Sequence, residues 1–182
     1  MILLIYAAII FVGVGFDQLT KYLAASNLAI DASPDVKVWE GVFHIRCISN
    51  DGAAFGMLDD QRWVFMSVSS IMIVALLAFL ILKYKSISKP RGIALALVIS
   101  GGIGNMIDRI CLGYVVDFLD FCAFPKLWKW NFNIADSFVV VGAGMLMLWM
   151  VLDLIREVKE EKVLKAAALS GAETKSESED NE

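Results

Sequence analysis

Apolar residues run almost without interruption from Met1 to Phe16, and the apolar character resumes beyond Asp17, Gln18, Leu19, Thr20 and Lys21 into Tyr22 to Ala25. A second run covers Val64 to Leu82, a third Gly92 to about Ile107 and a fourth Ile134 to Leu152. Rising about 1.5 Å per residue, helices of this length cross a hydrocarbon core of roughly 30 Å. The pattern therefore predicts transmembrane helices over about 1–28, 64–82, 92–109 and 134–155. The longest polar interval, about 29–62, contains an alternating piece, Val36 to Ile48, that predicts two or three short strands. The expected fold is an all-α membrane bundle of four transmembrane helices, with a small extramembrane β-sheet between helices 1 and 2.

Composition agrees with a membrane solvent. Of 182 residues 58% are hydrophobic and 20% charged, with a mean hydropathy of +0.67. A soluble fold of this size has too little interior for so many apolar side chains. The first run lacks the basic start and small-residue cleavage site of a signal peptide, so it is read as a retained helix. No internal repeat of the kind found in inverted-repeat transporters is visible.

Charge sets the expected topology. Lys83, Lys85, Lys89 and Arg91 follow the second run with no acid among them, and Arg156, Lys159, Lys162 and Lys165 follow the fourth. Basic residues beside helix ends stay in the cytoplasm, so both loops, and with four crossings both termini, are expected there. The net charge of −4 owes much to residues 166–182, where five acids accompany one lysine without periodicity. This segment reads as a disordered acidic cytoplasmic tail following a membrane domain of residues 1–165. Nothing is basic enough to imply nucleic acid. Cys47, Cys111 and Cys122 lack metal-site spacing, and His44, the only histidine, has no ligand partner near it in sequence, so neither metal nor cofactor is expected.

This topology gathers the intramembrane polar residues at one depth: Asp17 late in helix 1, Asn105 and Asp108 late in helix 3, Asp136 at the start of helix 4. Ionisable groups in hydrocarbon are costly and mark functional sites by default. Asn105, Asp108 and Arg109 share a helix face at i, i+3 and i+4, as do Asp17 with Lys21 and Asn133 with Asp136. Pairs such as Asp17 with Lys21, or Asp108 with Arg109, also serve simply to tie helices together. Asp117 and Asp136 have no basic neighbour in sequence. Two such carboxylates in a poorly hydrated pocket divide into a protonated and an ionised partner, able to activate water and polarise a carbonyl. On these residues alone a hydrolase and a proton or ion relay stand level.

The motifs break that tie. Asp17-Gln18-Leu19-Thr20-Lys21, Asn50-Asp51-Gly52-Ala53-Ala54-Phe55-Gly56, Gly101-Gly102-Ile103-Gly104-Asn105-Met106-Ile107-Asp108-Arg109, Val115-Val116-Asp117-Phe118 and Phe132-Asn133-Ile134-Ala135-Asp136-Ser137 occur in order. From about Ile10 to Leu152 the chain resembles lipoprotein signal peptidase, the bacterial signal peptidase II. The resemblance implies an aspartic endopeptidase of the bacterial cytoplasmic (inner) membrane, its active site toward the outer face. It would remove the signal peptide of a prolipoprotein immediately before a diacylglyceryl-modified cysteine. It would act on a lipid-bearing substrate entering laterally, with membrane lipid around it and no obligate protein partner; a monomer is the default. The catalytic pair would correspond to Asp117 and Asp136. Asp17, Lys21, Asn50, Gly52, Asn105, Asp108, Arg109 and Asn133 would support them or the substrate. Asp51 departs from the family pattern, in which threonine is more usual.

Overall fold

The structure, a computed structural model, describes residues 1–32, 35–51, 62–124 and 131–179. In chain order the elements are α1 (Ile2–Asn27), β1 (Val36–Trp39), β2 (Phe43–Asn50), α2 (Arg62–Lys83), α3 (Lys89–Cys111), β3 (Val115–Phe121), β4 (Asn131–Phe132) and α4 (Ile134–Glu179). Two compact units divide the chain, Met1–Gly144 and Met145–Glu182. The second is the remainder of α4, whose Met147, Leu148, Met150, Val151, Leu154 and Ile155 are exposed. Its backbone is helical to Glu179, past the boundary expected at 165, while side chains beyond Lys162 lie outside the described residues.

Among the described residues four helices are long and apolar enough to cross a membrane: Ile2–Asn27, Met66–Lys83, Lys89–Cys111 and Ile134–Lys162. The third begins earlier than the sequence pattern indicates. Pro90 sits in the first turn behind the N-cap Ser88, where a missing N–H costs no helical bond. Its far end stops at Leu112 and Gly113, both of whose N–H groups bond to Asp108 O, with Gly113 at φ 93° as a left-handed terminator.

The least apolar span is also the most buried. In α3 56% of the most apolar window is buried at a mean hydropathy of 1.5, against 17% at 2.1 in α1. Lipid solvates the apolar faces of α1 and α2 well, including exposed Phe11, Phe16, Val68 and Phe79. The helix bearing Ser100, Asn105 and Asp108 must instead be enclosed. Glycines allow that enclosure. A Cβ on Gly101 would run into the main-chain oxygen of Ala135, and one on Gly104 would lie 2.6 Å from Asp17 Oδ2.

The sheet is antiparallel throughout, in the order β1-β2-β3-β4. The expected location between the first two helices is therefore half of it. Val115–Phe121 and Asn131–Phe132, which connect α3 to α4, supply the other two strands. Ala24, Cys47, Val116 and Phe118 form the apolar cluster that seats this sheet on the end of α1, with Leu28, Ile45 and Ile134 packed around them.

Register decides what the sheet carries. Ile45 pairs with Leu119, but Ile48 pairs with Asp117, so the ladder bulges between them. Unbulged pairing would place Cys47 opposite Asp117 and turn Asn50 to the other face. The bulge reverses that parity, and Asn50, opposite Val115, becomes the diagonal neighbour of Asp117. At the other edge, Phe132 pairs with Leu119, which delivers Asn133 and the start of α4 to the same place.

Candidate functional site

Lys21 is the hub of the buried polar layer. Its Nζ lies 2.9 Å from Asp17 Oδ2 and 2.9 Å from Asp108 Oδ2, and donates to Asn105 Oδ1 at 2.9 Å. An ammonium has three N–H donors, and here three acceptors meet them. The side chains of Lys21, Asp17 and Asp108 are 3%, 0% and 3% exposed, so no water substitutes for these partners. The carboxylates use their remaining lone pairs on main-chain donors. Ala135 N–H donates to Asp17 Oδ1 at 2.8 Å and Val116 N–H to Asp108 Oδ2 at 3.1 Å, pinning the start of α4 and strand β3 to the helices.

Above this layer stand the other two acids. Asp117, buried on β3, accepts from Asn133 Nδ2 at Oδ1 and from Asn50 Nδ2 at Oδ2, both at 2.7 Å. Asp136 accepts from Asn105 Nδ2 at 2.7 Å and from the Asn133 N–H at 3.2 Å. The Asp136 N–H returns a bond to Asn133 Oδ1 at 2.9 Å, so Asn133 and Asp136 form a reciprocal capping box at the start of α4. Asn133 thus reaches one carboxylate with its side chain and the other with its backbone. Its Nδ2 also lies 3.1 Å from Asn105 Oδ1, closing a loop of Asn105, Asn133 and Asp136.

Burial dominates the electrostatics of Asp117. Loss of hydration pushes its carboxyl up to about 6; the bond from Asn50 opposes this, the nearby Asp136 charge adds to it, and Asn133 and Lys21 pull it back in smaller measure.

Of the residues expected from the sequence, Asp17, Lys21, Asn50, Asn105, Asp108, Asp117, Asn133 and Asp136 meet in this one network. Arg109 does not pair with Asp108: adjacent helix residues point apart, Lys21 takes the carboxylate, and Nη1 of half-buried Arg109 lies 3.5 Å from Asn105 O. Gly52 and most of its block lie outside the described residues. Gln18 was missed. Its Nε2 donates to Asp108 Oδ1 at 2.8 Å and to Gly104 O at 3.1 Å, which its position beside Asp17 in a polar turn of an apolar helix could have flagged. Strand pairing, invisible in sequence spacing, brings Asp120 and Cys122 near His44.

Comparison with known proteins gives a consistent picture. A family model described as signal peptidase (SPase) II matches residues 9–152. The chain is 40% identical over 147 residues to a lipoprotein signal peptidase of Clostridioides difficile, covering 81% of this chain and 95% of that one. It is 41% identical over 141 residues to a protein of the same name from Symbiobacterium thermophilum, covering 78% and 90%. Its fold is similar to a bacterial membrane enzyme solved by the in meso method at 2.3 Å, with a TM-score of 0.71 at 31% identity over 82% of this chain and 88% of the other.

Proposed function

Because the chain belongs to the signal peptidase II family of aspartic peptidases, we propose that it removes signal peptides from prolipoproteins, cutting immediately before the diacylglyceryl-modified cysteine. Asp117 and Asp136 are the catalytic pair. The observation that carries this reading is Asn133, which donates to both carboxylates and so holds them around one small space.

In the proposed cycle Asp136 is the ionised partner and takes a proton from water as the oxygen attacks the scissile carbonyl. Asp117, pushed up by burial, carries the shared proton and donates it toward the developing oxyanion. Collapse of the tetrahedral intermediate breaks the C–N bond as the proton held by Asp136 passes to the leaving amine and one hydroxyl of the intermediate returns its proton to Asp117, which restores the pair. Asn50, Asn105 and Asn133 orient the pair without adding charge. Lys21, Asp17, Asp108 and Gln18 form the platform beneath it, and Arg109 supports the same helix end.

By the basic loop from Lys83 to Arg91, both termini face the cytoplasm and the sheet and aspartate pair lie toward the outer face of the bacterial cytoplasmic membrane. Residues 1–165 form the membrane domain of a monomer, and the acidic tail from 166 stays in cytoplasmic solvent. A purified sample in detergent, with no ion gradient, is expected to cleave a lipid-modified precursor. A requirement for a proton or sodium gradient would instead identify a relay and overturn the peptidase reading.

The role of Asp117 has its own test in the pH profile. If its protonated form is required, kcat/KM of the free enzyme falls about tenfold per pH unit above about 6. Asn50 stabilises the ionised form, so Asn50→Ala raises the Asp117 pKa further and moves the limb to higher pH by roughly half to one unit. A limb that stays in place, or moves to lower pH, removes the proton from Asp117.

A further inference from the structure

The face of the sheet turned away from Asp117 carries a second cluster. His44 on β2 stands directly opposite Asp120 on β3, and Cys122, two residues further on, projects to the same side as Asp120. The Cys122 N–H donates to Val42 O at 2.9 Å, which extends the ladder past the end of β3 and holds the thiol in place. One donor atom from each of His44, Asp120 and Cys122 lies within 4.8 Å of the other two. All three residues are half-buried, and Cys122 is a free thiol.

The histidine supplies an independent indication. Its Nε2 is buried without a hydrogen-bond partner among the described residues, an arrangement that is ordinarily costly to a polar group. Across the ring, Asp35 Oδ2 lies 3.7 Å from Nδ1, and the other Asp35 oxygen lies 3.5 Å from Arg46 Nε. The unpartnered ring nitrogen is available to a ligand, while Asp35, too far for a hydrogen bond, acts on the other edge of the ring through its charge alone.

We propose that His44, Asp120 and Cys122 form a binding site for a zinc-type divalent cation, with water in the fourth position. An N, O and S donor set excludes the oxygen-seeking magnesium and calcium and suits tetrahedral zinc. Zinc bonds of about 2.0–2.3 Å place tetrahedral donors about 3.3–3.8 Å apart. Within 4.8 Å of one another as they stand, the donors must draw together by at most about 1–1.5 Å to reach that spacing. On binding, the Cys122 S–H bond is exchanged for a sulfur–metal bond and its proton leaves to solvent. The ion would clip β2 to the end of β3, the strand that also carries Asp117.

Cobalt is the probe. Added to the untagged full-length protein in detergent, one equivalent of Co²⁺ is expected to give a thiolate-to-cobalt charge-transfer band and the intense visible bands of a four-coordinate ion, both bleached by Zn²⁺. Cys122→Ser should abolish the charge-transfer band, and His44→Ala and Asp120→Asn should each weaken Co²⁺ binding at least about tenfold. Helical circular dichroism and precursor cleavage check that each variant has folded. Absence of the band in the wild type overturns the proposal. So does a band that survives in folded Cys122→Ser, or that Cys111→Ser removes. Loss of cleavage activity in every sample would bear on the peptidase reading and leave the cobalt spectrum to be judged by itself.

Discussion

Asp117→Asn and Asp136→Asn are each expected to lower cleavage of a lipid-modified precursor at least about 10³-fold, within the ~10²–10⁴ attributed to a general acid or base and its partner. The two proteins should differ in stability. Asp117 sits between the amide groups of Asn50 and Asn133, so an asparagine there can keep its oxygen toward Asn133 and set its N–H group against Asn50, whose amide must turn to accept it. Asp136 is less forgiving. Asn105 cannot turn its amide to meet an asparagine at 136, because its Oδ1 already accepts from Lys21 and Asn133. The expected cost at 136 is about 1–3 kcal/mol, the penalty for a buried polar group left unmatched. The double variant should be scarcely less active than either single one, since a pair sharing one proton fails as a unit. An Asp117→Asn rate within tenfold of wild type would take that residue out of the chemistry.

Lys21→Met should be the most damaging single change to assembly. It leaves the carboxylates of Asp17 and Asp108, at 0% and 3% exposure, facing each other without a cation. Removing one partner of a buried ion pair typically costs about 3–5 kcal/mol, and here two acids lose the same partner. The effect should appear as a lowered melting temperature in detergent and loss of protease resistance, not merely as a slower enzyme. Asp108→Asn should be milder, because Lys21 keeps Asp17 and Asn105 as acceptors. Combining Lys21→Met with Asp108→Asn should recover part of the lost stability, a coupling that distinguishes stranded charge from lost packing. Equal melting temperatures for Lys21→Met and wild type would mean that the buried layer is not held together as described.

Much of the site was legible residue by residue. Asp17 and Lys21 at i, i+4, and Asn133 and Asp136 at the start of an apolar run, must face one another on any helix, and the structure has both pairs in contact. Asp108 shows where such reading stops. Its neighbour Arg109 is the sequence's only nearby cation, yet the cation it meets is 87 positions away on α1. Gln18 followed the same course, its partner on α3 lying 90 positions away in the chain.

The chain alone therefore determined the four spans, because the demand that hydrocarbon be met by about twenty apolar residues applies locally, one segment at a time. It also determined the contacts that a single helix turn enforces, and the polar residues that could not be left to lipid. The tertiary structure decided which acid met which cation, and it drew β3 and β4 into a sheet expected only between the first two helices. Through one bulge between Ile45 and Ile48 it also placed Asn50 on Asp117, while His44, Asp120 and Cys122 gathered on the opposite face. A helix carries its own periodicity, but a strand's partner depends on register, and a shift of one residue exchanges its two faces.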